Sequence, residues 1–115
     1  MRRGEIRLVD LDPARGAGAD KRRPGIIVSN DGANSTAERL GRGVITVVPV
    51  TSNITRVHAF QVLLPATETG LRLDSKAQAE QVRSVAVERI GARVGIVTGE
   101  LLAALDEALR LHLAL

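Results

Sequence analysis

The chain has 115 residues, 44% hydrophobic and 25% charged, with a formal net charge of +3, no cysteine, two histidines and one aromatic residue, Phe60. A chain of this mass buries roughly two-thirds of its extended surface, so one domain over residues 1–115 with one core is expected, and disorder, collagen and low-complexity repeats are excluded. Without cysteine there are no disulfides, thiolate nucleophiles, iron-sulfur clusters or cysteine zinc sites, so any catalysis falls to hydroxyls, carboxylates and cationic side chains.

Taken in chain order, residues 5–11 (Glu-Ile-Arg-Leu-Val-Asp-Leu) begin with period-two alternation and predict a strand that stops at Asp12-Pro13. Residues 13–22 form a small-residue loop with a basic end, long enough for its position to matter to function. Gly25-Ile26-Ile27-Val28-Ser29 is short, β-branched and apolar, as a strand buried on both faces would be. The polar stretch from Gly32 to Gly43 holds at most one helical turn, around residues 36–40, before Val44–Val50 resumes strand character. Pro49 within that run implies an edge or a bulge.

His58–Leu64 reads as a half-buried strand with Phe60, Val62 and Leu64 on one face. Between Ser75 and Ile90, Ala79, Val82, Ala86 and Ile90 recur at helical spacing, and pattern alone predicts helix there. Arg93–Val97 reads as a strand, followed by a helix capped by Thr98 with Glu100 in its first turn. In that helix Leu101, Leu105, Ala108 and Leu109 form an apolar stripe, while Leu102, Leu111, Leu113 and Leu115 exceed what one sheet needs and suit either further core or a second copy. The elements together predict a mainly β (α+β) fold: a small, strongly bent antiparallel sheet or open barrel closed by a C-terminal helix.

Of 16 basic residues 14 are arginine, and the whole excess lies in residues 1–23, where seven basic residues face four acidic ones. Such an excess suits an anionic partner, nucleic acid first, although on charge alone the modest +3 favours a solubilising surface. With one aromatic residue, RNA contact would rely on arginine planes, hydroxyls and backbone groups. No apolar run approaches the ~20 residues of a membrane span, so no membrane partner is expected and the cytoplasm is the expected location.

No Walker or Gly-x-Gly-x-x-Gly cradle is present, and His58 and His112 lie in settings that read as structural. The remaining chemistry sits at the Arg22-Arg23-Pro24 corner and the Thr51-Ser52-Asn53 turn, both at strand ends. A guanidinium and a hydroxyl together can hold a phosphodiester and neutralise charge developing at phosphorus. On these residues alone, a salt bridge for Arg23 and a turn hydrogen bond for Thr51 is the simpler reading.

Arg3-Gly4-Glu5-Ile6 with Val9-Asp10-Leu11-Asp12-Pro13, then Arg23–Asp31, then Val48-Pro49-Val50-Thr51-Ser52-Asn53, and finally Ala79–Val85, resemble in that order the MazF/PemK family of toxin-antitoxin ribonucleases. The resemblance implies an SH3-like antiparallel β-barrel with short helices, related to the gyrase poison CcdB and usually a homodimer. It implies cleavage of single-stranded RNA without metal or other cofactor, with mRNA the first target and rRNA or tRNA further ones, and a cognate antitoxin that folds across the same groove. It also favours strand over helix for Lys76–Val85, with a short helical turn near Val87.

By position the resemblance assigns the chemistry to Arg23 and Thr51, with Arg15, Asp20, Lys21, Arg22, Ser52 and Asn53 as RNA-binding residues. It implies attack by the substrate's 2′-hydroxyl on the adjacent phosphorus, giving a 2′,3′-cyclic phosphate and a 5′-hydroxyl. The chain departs from the family pattern at Gly16-Ala17-Gly18, where an acid is common, and at Arg7, where an aromatic is common. Two rivals are a non-enzymatic gyrase-binding toxin of the CcdB type, against which the aromatic-free ending Leu113-Ala114-Leu115 speaks, and a basic interaction module.

Overall fold

The computed structural model describes residues 1–11 and 22–115. The first strand, β1 (Glu5–Asp10), pairs antiparallel with β2 (Arg22–Ile27), which pairs antiparallel with β3 (Val44–Thr51). Alternation sends neighbouring residues of these strands to opposite faces. Ile6, Ile26, Val48 and Val50 accordingly join one core cluster, and Val9, Ile27, Ile45 and Val47 join another. Burial of β2 on both faces is therefore as the sequence predicts. The strand itself starts three residues before the predicted Gly25, because Pro24 pairs with Leu8 of β1 while the ladder to β3 begins only at Gly25.

Two expectations for the next segment are corrected. The single helical turn is a ten-residue helix, α1 (Asp31–Leu40), whose residues Gly32, Asn34, Ser35 and Thr36 have little helix propensity. Capping and anchoring outweigh that deficit: the Asn30 side chain accepts a hydrogen bond from the Ala33 N–H at 2.8 Å, and Gly41 closes the helix at φ +67°. Asn34, fully buried, donates to the Ser29 carbonyl at 2.8 Å. Of the edge or bulge predicted at Pro49, the edge is excluded, since Pro49 is buried in a central strand. The side of β3 facing away from β2 is shared by two partners, one along residues 44–47 and one at residues 50–51. Pro49 falls in the step between them, where a missing N–H breaks no rung.

The remaining strands are short: β4 (Gln61–Leu64), β5 (Ser75–Gln78), β6 (Arg83–Ala86) and β7 (Ile90–Ile96). β4 begins three residues later than predicted, because His58 and Phe60 stack face to face at 5.0 Å in the turn before it. The helical spacing over residues 75–90 is a coincidence of two strands separated by a 3-10 turn, Ala79–Gln81, and followed by another, Val87–Arg89. β5 and β6 flank the same edge of β3, and this tertiary pairing overrides local propensity.

The seven strands run in the order β4-β5-β3-β2-β1-β7, with β6 beside β3 off that path. Its two ends approach each other through a short helix, α2 (Ala66–Thr69), whose Thr69 carbonyl presses against Gly95 of β7. The C-terminal helix α3 (Gly99–Leu113) buries Leu105 and Ala108 against the first cluster, with Leu101, Leu102 and Leu109 partly covered, while α1 places Ala37 in the second. Thr98 occupies the N-cap position but its side chain makes no capping bond, a correction to the predicted cap. Leu111, Leu113 and Leu115 are exposed. Arg3 ties α3 to the sheet, donating to the Val28 carbonyl at 2.9 Å and to Asp106 at 2.6 Å. Among the described residues no helix is long and apolar enough to cross a membrane.

Candidate active-site cleft

In the β2–β3 ladder Gly25 pairs with Pro49, Ile26 with Val48 and Ile27 with Val47. The ladder ends at Gly25–Pro49, and Arg23 and Thr51 each lie two residues beyond it on their strands. The strand ends open there into a cleft of about 700 Å³, and both residues line it. Its apolar wall is formed by Leu8, Leu11, Pro24, Pro49, Val50, Leu71 and Val94, and its polar groups are Arg23, Thr51, Ser52, Arg72, Ser75 and Gln78. Among the described residues the lining carries two guanidinium groups and no carboxylate.

Arg23 is exposed, and its Nη1 donates to the Arg22 carbonyl at 3.3 Å. Thr51 is half-buried, and its Oγ1 accepts the Asn53 N–H at 3.2 Å. With one lone pair so used, the hydroxyl hydrogen remains to be donated to a ligand. The turn is continued by Asn53, whose Oδ1 accepts the Thr55 N–H at 3.3 Å. These two bonds tie the hydroxyl into the turn, and Thr51 lines the cleft.

Ser52 lines the cleft, but Asn53 and Arg22 are not among its walls. Arg22 turns toward β7, where its guanidinium lies over Gly91 so closely that a Cβ there would stand 2.8 Å from Nη1. Arg15, Asp20 and Lys21 lie outside the described residues. Neither His58 nor His112 lines the cleft. Among the described residues no group of three His, Asp or Glu side chains is placed to hold a metal ion.

Arg72, Ser75 and Gln78 are the cleft residues that sequence reasoning missed. The signal was the turn sequence Gly70-Leu71-Arg72-Leu73-Asp74, which presents a cation at a strand entrance just as Arg22-Arg23 does.

Away from the cleft, Glu5 is buried and paired with Arg7, Nη2 to Oε1 at 2.7 Å. Burial works to raise its pKa, but the hydrogen bond and charge of Arg7, the Arg2 backbone and the N-terminal charge prevail and hold it below the ordinary glutamate value.

Comparison with known proteins places this cleft in context. A family model described as PemK-like, MazF-like toxin of type II toxin-antitoxin system matches residues 2–113. The chain is 67% identical over 115 residues to endoribonuclease MazF9 of Mycobacterium tuberculosis (strain ATCC 25618 / H37Rv), covering 100% of this chain and 98% of the relative. Among solved structures, the Mycobacterium tuberculosis toxin MazF-mt6 superposes with a TM-score of 0.76 at 24% identity, covering 96% of this chain and 97% of that one. A mycobacterial endoribonuclease in complex with its cognate antitoxin superposes with a TM-score of 0.76 at 21% identity, covering 100% of this chain and 96% of that one. With nearly its whole length matched, this chain belongs to the PemK-like, MazF-like toxin family of type II toxin-antitoxin systems.

Proposed function

We propose that this chain is an endoribonuclease toxin that cuts single-stranded RNA at specific sequences through its own substrate's 2′-hydroxyl. The observation that carries the reading is the convergence of Arg23 and Thr51 on one cleft lined by cations. The 2′-oxygen loses its proton and bonds to the adjacent phosphorus. The bond from phosphorus to the 5′-oxygen breaks, and that oxygen takes up a proton. The products are a 2′,3′-cyclic phosphate and a 5′-hydroxyl, and no metal is required.

Arg23 stabilises the charge that grows on the phosphoryl oxygens, a role suited to a group that stays protonated near neutral pH. Thr51 donates its hydroxyl hydrogen to one of those oxygens while the Asn53 N–H fixes its orientation. Ser52 extends the polar edge along the bound strand, and Arg15, Asp20, Lys21, Arg22 and Asn53 are proposed as further RNA contacts. The apolar wall excludes water from one side and strengthens these electrostatic contacts.

The rest of the reading follows the family: one domain over residues 1–115, a sheet curled into an SH3-like barrel, a cytoplasmic homodimer and inhibition by a cognate antitoxin. The solved relative bound to its antitoxin supports the last of these. The test is to incubate purified protein with a mixed RNA pool in EDTA and map the new ends. Cyclic-phosphate and 5′-hydroxyl ends at a recurrent sequence are expected; intact RNA, or cleavage only with added metal, overturns the reading.

A further inference from the structure

We infer that Arg72 is a second phosphate-holding residue, which grips the RNA strand one phosphate away from the one held by Arg23 and Thr51. The inference rests on the nucleic-acid reading of the cleft. Across the sheet the order is β2, β3, β5, so Arg23 lies on one side of Thr51 and the chain entering β5 lies on the other. Thr51 pairs with Lys76, and Arg72 precedes that pair by four residues, beyond the same strand end. Strands β2 and β5, at whose starts the two arginines lie, are two strand spacings, roughly 10 Å, apart, with β3 and its Thr51 between them.

Arg72 is exposed yet carried on a fixed support. Leu71 packs against the first core cluster, and its N–H donates to Thr69 Oγ1 at 3.3 Å. On the other side, Asp74 accepts the Ala66 N–H at 2.8 Å and Ser75 Oγ donates to the Leu73 carbonyl at 3.0 Å. The segment is thus pinned before and after Arg72, and the guanidinium lines the cleft without carboxylate partners among the described residues. A preorganised planar fork of donors beside an apolar wall suits a phosphodiester. Two such forks flanking a hydroxyl set a direction for the strand, which a single arginine cannot do.

The experiment measures binding separately from cleavage. An all-deoxy oligonucleotide, which lacks the attacking hydroxyl, is titrated by fluorescence anisotropy against wild type, Arg72→Ala and Arg72→Lys at several salt concentrations. Arg72→Ala is expected to weaken binding about tenfold and to reduce the slope of log affinity against log salt by about 0.7, the loss of one single-strand phosphate contact. Arg72→Lys should restore the slope. On RNA, KM should rise with kcat nearly unchanged. An oligonucleotide carrying one uncharged methylphosphonate beside the scissile position should cost wild type affinity and cost Arg72→Ala almost nothing further. Equal affinity and slope for wild type and Arg72→Ala overturns the inference. Loss of RNA cleavage by wild type with these binding differences intact would instead overturn the nuclease reading alone.

Discussion

Gly25 lies opposite Pro49 at the last rung between β2 and β3, and two residues beyond that rung on each strand Arg23 and Thr51 line the same cleft. Antiparallel pairing brings residues 28 apart in sequence to one end of the sheet, where both line the cleft. Neither residue has to find the other; the hydrophobic ladder behind them, with Ile26 and Val48 fully buried, sets their register.

Arg23→Ala should lower the rate of RNA cleavage by on the order of 10²–10³, as loss of a donor to a transition-state oxyanion does. Because Arg23 is exposed, the thermal midpoint should stay near that of wild type. Single-turnover cleavage and a melting curve on the same preparation check both halves, and wild-type turnover in a folded variant removes the assigned role.

Thr51→Val keeps the shape of the side chain but deletes the hydroxyl, leaving the Asn53 N–H without its acceptor. A fall in kcat of about 10-fold to 100-fold is expected, while Thr51→Ser should recover most of it, since only the oxygen is needed. Equal rates for Ser and Val variants would mean that the hydroxyl takes no part.

Gly95→Ala should destabilise the fold by about 1–3 kcal/mol. Its new Cβ would stand 2.6 Å from the Thr69 carbonyl oxygen and 3.2 Å from Ile6 Cδ1, and the first of these is backbone that cannot swing aside. Urea denaturation should show a lower midpoint at unchanged slope. A neutral result would mean that the contact between α2 and β7 yields freely.

Glu5 carries a pH-dependent part of the stability. Its folded pKa lies below its ordinary value, so the contribution is present above the unfolded pKa of about 4.3 and is lost as pH falls through the folded value. Glu5→Gln should therefore be less stable than wild type by about 1 kcal/mol at neutral pH, and the gap should close in acid, where wild type carries a neutral carboxyl too. Denaturation midpoints of both proteins across this range test it, and a constant gap contradicts the assignment.

Where side-chain pattern and local chemistry agree, the amino-acid order alone determined the outcome. The strand at β1, the double-sided burial of Ile26 and Ile27, and the stripe of Leu105 and Ala108 on α3 were legible because each rests on residue type or spacing read over one stretch. Of the residues that line the cleft, Arg23, Thr51 and Ser52 were singled out as a cation and two hydroxyls at strand ends, and then by family resemblance. Tertiary structure decided the rest. Residues 75–90 became two strands because the edge of β3 offered partners for both, and Pro49 entered the middle of the sheet because two neighbours share that edge. Arg72 joined the cleft because β5 brings its loop alongside the end of β3. Pairing between distant segments leaves no period in the local sequence, so only the family resemblance favoured strand at Lys76–Val85, and the places of Pro49 and Arg72 emerged when the strands met.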